Sequence, residues 1–91
     1  MVITLEEMKS YLRVDFDDDD VLLRNIMESA QTLCMDVARM TDEDVFEEEP
    51  CARIAVMYAV AHLYEHREEA DHHELTLSLR SLLFGCRQEG F

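Results

Sequence analysis

Residues 50–67, PCARIAVMYAVAHLYEHR, restrict the fold more than any other stretch of the chain. Their centre, residues 54–61, holds no charged side chain although 32% of the protein is charged, so it has to be enclosed. Apolar residues recur at helical spacing on two sides: Ile54, Met57, Tyr58, Ala61 and Tyr64 on one, Val56, Val60 and Leu63 on the other. A surface helix carries a single apolar stripe; two predict a helix covered over most of its circumference. Pro50 suits the first helical position, where its missing N–H costs nothing. Glu47, Glu48 and Glu49 precede it, where the positive end of the helix dipole favours carboxylates, and His62, His66 and Arg67 lie toward the negative end. A membrane span takes about 20 apolar residues, and this run carries Arg53 and Glu65, so it reads as a core helix. Burial of Ile54, Val56, Met57, Val60 and Leu63 is worth about 1.5–3 kcal/mol each.

With 91 residues, the chain makes one domain, 1–91, with a single modest core. Two glycines and one proline beside 48% hydrophobic residues exclude a disordered acidic tail and indicate a helical unit. The formal charge of −13 argues against a nucleic-acid-binding surface, since gripping DNA means neutralising phosphates with Lys and Arg. It does not forbid surrounding DNA without holding it. Cys34, Cys51 and Cys86 are odd in number and far apart, and read as reduced thiols of a cytosolic protein, neither a disulfide framework nor a zinc site. The N-terminus runs straight into a helix cap, so no signal peptide or membrane segment is expected.

That cap is Thr4-x-x-Glu7, a capping box, with Ile3 placed to pack on Met8. Leu5, Met8, Tyr11 and Leu12 form the apolar edge of a first helix. The acidic run 15–20 has the alternating Asp15, Asp17 and Asp19 of a calcium loop, but Asp20 stands where the loop needs Gly and Ile26 where it needs Glu. Its better reading is a helix start, with Asp17 or Asp18 as cap. A second helix is expected over residues 18–40. Its stripe is Leu22, Ile26, Ser29, Leu33, Val37 and Met40, widened by Ala30 and Cys34, with Leu23 and Met27 on a second apolar face. Residues 41–49 form a polar connection, EEADHHE after Arg67 a loop, and residues 78–84 a short last helix ended by Gly85. The expected fold class is therefore all-α: a small bundle of three main helices plus a short C-terminal helix.

Catalytic chemistry has no foothold. His62 and His66 are one turn apart, but Leu63 stands where a metalloprotease helix carries Glu, and the ligand set is incomplete for zinc. Gly85 and Gly90 are the only glycines, which excludes a phosphate-cradling loop, and no serine has a nucleophile's setting. No enzyme activity, cofactor or metal is expected. What remains is surplus apolar surface on the central and second helices and in the closing Leu/Phe segment, a surplus that suits a partner or self-association.

The opening VITLEEMKSYLRVD, followed by DDDDVLLRNIMESA, resembles the N-terminal half of the small head–tail connector proteins of long-tailed phages and prophages, also called adaptor or DNA-packaging proteins. AVMYAVAHLYEHRE resembles that family's apolar run ending in His-Leu-Tyr-Glu-x-Arg-Glu, and LRSLLFGCR its closing segment, with Cys86 in place of the usual aromatic. The resemblance implies an all-α subunit of a homo-oligomeric ring beneath the phage portal protein. Such a ring sits at the virion head–tail junction after assembly in the host cytoplasm. It extends the DNA channel without specific binding and docks the next head-completion (stopper) or tail protein. Candidate contact residues are Leu23, Met27, Tyr64 and Arg67 between neighbours, and Leu82, Leu83, Phe84, Arg87 and Phe91 in a segment reaching toward the portal. The competing reading is an acidic helical DNA mimic that inhibits a nucleic-acid-binding protein. Against it, the acid is concentrated in caps and connections. A third is a structural subunit of some other assembly.

Overall fold

The computed structural model describes residues 1–66 and 73–84, and its five helices follow in the order α1 (Leu5–Leu12), α2 (Asp20–Ala38), α3 (Glu43–Glu47), α4 (Pro50–Glu65) and α5 (His73–Leu83). The fold is all-α, as expected. Helices α2 and α4 form the main pair, α5 packs on both, and α1 and α3 close the sides.

Local chemistry sets most of the helix ends. Thr4 Oγ1 accepts from the Glu7 N–H at 3.1 Å while the Glu7 carboxylate accepts from the Thr4 N–H at 2.9 Å, completing the capping box. Asp42 does similar work for α3, accepting from the Asp44 and Val45 N–H groups. The expected polar connection is thus partly helical, and it buries Phe46 completely. Both α1 and α2 stop on an arginine in the left-handed region, Arg13 at φ 60° and Arg39 at φ 59°. At each, the cap N–H and the next residue's N–H turn back onto carbonyls of the last helical turn, a closure usually assigned to glycine.

Three expectations about packing need correction. On α2 the buried face is Leu23, Met27, Ala30, Gln31, Cys34 and Ala38. Of the expected stripe, Leu22, Ile26, Ser29, Leu33 and Val37 lie on its flank, half-buried or exposed, while Met40, just past the helix, is buried as expected. The physical reason lies in the packing: α2 pairs mainly with α4 and is also covered by α5, and the face they cover carries small Ala30, Cys34 and Ala38 beside the larger Leu23 and Met27. Second, α4 is covered over only part of its circumference. Val56 and Val60 are fully buried, but Ile54 is 60% exposed, Tyr58 is also exposed and Met57 is half-buried, because the packed helices leave one face of α4 open. Third, α5 begins at His73, well before residue 78. The Leu75, Leu77, Leu79 alternation is helical there: Leu75, Leu79 and Leu83, four apart, enter the core, and Leu77 points outward.

The cysteine reading also changes. Cys34 is a free thiol, and its burial pushes the pKa up to about 12, so it is protonated and inert. Cys51 is disulfide-bonded, not a reduced thiol.

Candidate assembly surface

Three polar clusters pin the helices and determine which surface is left over. At one end, the acidic run is held by the protein's own groups. Lys9 Nζ donates to Asp17 at 2.7 Å and to Asp20 at 2.8 Å, and the Tyr64 hydroxyl donates to Asp19 at 2.6 Å. The bonds to Asp17 and then Asp20 raise the Lys9 ammonium above its ordinary range, and the Lys9 bond lowers the Asp17 carboxyl. Carboxylates that a calcium loop would turn toward an ion instead join α1 to α2, and α2 to α4. Asp15 and Asp18 stay exposed and make no ion pair among the described residues.

A second cluster surrounds Gln31, the one buried polar side chain among the described residues. Its Oε1 accepts from the Val2 N–H at 3.1 Å, and its Nε2 donates to Glu43 at 3.0 Å and Glu47 at 3.3 Å. The Met1 ammonium pairs with Glu47 at 2.7 Å, which raises the amine and lowers the Glu47 carboxyl. In the third, Arg53 donates to Glu7. That bond, with the Thr4 backbone bond next, holds the Glu7 carboxyl down at about 2.

None of these clusters is built for catalysis. His62 and His66 have ring centroids 4.5 Å apart on α4, and no group of three metal-ligating side chains occurs among the described residues. An open depression on α2, lined by Glu28, Ser29, Thr32, Leu33 and Asp36, gathers no nucleophile with a base.

The surface has apolar ground on several elements. Phe16 and Val21 flank the acidic run, Ile54 and Tyr58 stand out from α4, and Leu77 and Phe84 lie on one side of α5. The α2 flank adds the exposed Leu22, with Ile26, Leu33 and Val37 half-buried against the core beside it; at 100° per residue the four fall within about a sixth of the helix circumference. Of the expected contact residues, Leu23, Met27 and Leu83 are core residues with no surface to offer a neighbour. Tyr64 and Leu82 are half-buried, the former with its hydroxyl committed to Asp19, and Phe84 is 65% exposed. Arg67, Arg87 and Phe91 lie outside the described residues. The flank of α2 and Leu77 were missed as contact candidates. Their signal was present as apolar residues at helical spacing; it was read as core, which Ile26, Leu33 and Val37 do border while Leu22 stands exposed.

These features define a helical unit pinned internally by polar clusters, with exposed apolar side chains on several of its elements. The family model for the phage gp6-like head–tail connector protein matches residues 2–88, so the chain belongs to that family. No curated protein and no solved structure matches it. Membership implies a structural role at the head–tail junction of a phage virion. No helix among the described residues is long and apolar enough to cross a membrane.

Proposed function

We propose that the chain is one subunit of a homo-oligomeric ring that sits beneath the portal, prolongs the DNA channel and docks the next head-completion or tail protein. It would assemble in the host cytoplasm before joining the virion. The observation that carries this reading is the outward-facing apolar ground on α2, α4 and α5, in a chain whose core is already closed by Phe46, Leu23, Leu79 and Leu83. Large apolar side chains on several sides suit a subunit with a neighbour on each side. The charge of −13 supports a channel through which DNA slides, because carboxylates repel phosphates.

Light scattering across concentration and salt, with a pull-down on the matching portal protein, tests the proposal. Rings are expected, favoured at high salt, where the Debye length falls to about 3 Å at 1 M and like-charged subunits repel less. Strict monomers under every condition, with no portal binding, would refute it and put the DNA mimic ahead.

A further inference from the structure

Arg80 is exposed on α5 and forms no ion pair among the described residues, in a chain with 21 acidic and eight basic residues. It lies between two large exposed apolar side chains, Leu77 three residues before it and Phe84 four after, 46% and 65% exposed. At 100° per residue the three share one side of the helix. A stripe that is apolar at both ends and cationic in the middle calls for a surface that is apolar and acidic.

The turn between α1 and α2 is such a surface. Phe16 and Val21 are 51% and 70% exposed there, and Asp15 and Asp18 are the carboxylates of the run that are not committed to Lys9 or Tyr64. A second acidic segment, around α3, fits less well. Its exposed apolar side chain is Val45 alone, and Glu43 and Glu47 are engaged by Gln31 and the Met1 ammonium.

We infer that the Leu77–Arg80–Phe84 stripe docks on the Asp15–Phe16–Asp18–Val21 turn of a second copy of this chain. The two patches are different surfaces of one molecule, so the contact is heterologous and repeats from subunit to subunit, the geometry that closes a ring. The inference rests on the ring reading and adds to it the pair of surfaces that meet. The charge pairs set register and partner choice, and the apolar residues supply the buried area.

The test is sedimentation velocity on the full chain and on charge-reversal variants. Arg80→Glu alone and Asp15→Arg/Asp18→Arg together should each raise the dissociation constant about tenfold, and the three changes combined should restore most of the loss. Leu77→Ser, at an exposed position that leaves the core intact, should weaken association as well. Arg24→Glu reverses another exposed arginine, on α2, that forms no ion pair among the described residues, and controls for net charge; it should change little. If the wild type associates but the combined variant is no better than its parents, or Arg24→Glu acts like Arg80→Glu, the assigned surfaces are wrong and the ring reading stands. A wild type that never associates overturns both.

Discussion

Replacing Gln31 with Met keeps the volume of a side chain that is 5% exposed and removes every hydrogen bond it makes. The neutral bond from the Val2 N–H contributes about 0.5–1.5 kcal/mol, and leaving that half-buried donor unpaired adds about 1 kcal/mol. The two bonds to carboxylates are worth less than charged bonds usually are. One is long at 3.3 Å, the Glu43 side chain is 59% exposed, and water can replace the lost donor, so together they add about 1 kcal/mol. The expected loss is about 2.5–3.5 kcal/mol, or a fall in Tm of about 10–20 °C for a domain of this size. Guanidinium denaturation followed by circular dichroism measures it, with an unchanged slope showing that the folded and unfolded states are otherwise alike. Gln31→Glu should be worse at pH 7, because it sets a third carboxylate beside Glu43 and Glu47, and should recover as the pH falls. A Gln31→Met protein within about 0.5 kcal/mol of wild type would show that the cluster does not hold the N-terminal segment and α3 onto α2.

Other perturbations discriminate further. The Glu7 carboxyl is depressed from 4.5 to about 2, so its stabilisation is complete above pH 4.5 and lost as the pH falls toward 2; Arg53→Ala should flatten that acid limb in urea melts run from pH 5 to 2. Val60→Asp buries an unpaired carboxylate at a fully enclosed position and should prevent folding, whereas Ile54→Asp, 60% exposed, should leave a cooperative melt; equal behaviour of the two would refute the assigned faces of α4. Cys34 should resist iodoacetamide at pH 8 in the native protein and react once denaturant is added, as mass spectrometry can read; rapid native labelling would contradict its burial.

What could be read from the residues alone followed from how local the cause was. Thr4 and Glu7 cap α1 across a single turn, and Pro50 opens α4 by its own ring, so both starts stand where the sequence puts them. The all-helical class followed from spacing and from the scarcity of glycine and proline. Burial on α2 was not local. Leu22, Ile26, Leu33 and Val37 keep helical spacing as well as Leu23, Met27, Ala30 and Cys34 do, and only the approach of α4 decides between them. That inversion also moved Leu23 and Met27 from candidate contacts into the core, leaving the α2 flank on the surface. On α5, three leucines at every second position imitated a strand's period, and the helix was placed too late. For the assembly surface, the excess of apolar side chains was legible. The identity of the outward-facing ones depended on which helices pack together.

The small residues buried on α2 and α4 have a thermodynamic side. Alanine has no rotamers to lose, so burying Ala30, Ala38, Ala52, Ala55 and Ala59 costs little side-chain entropy. Each also removes little apolar area from water, and area is what drives folding. These positions therefore contribute a shallow free-energy gain, and much of the stabilisation is left to a few large residues such as Phe46, Leu23 and Leu79. In the proposed ring, binding by neighbours would supply the rest by mass action, since anything that binds only the folded form raises its stability. The melting temperature of such a subunit climbs with its own concentration, and the isolated chain is the least stable form it takes.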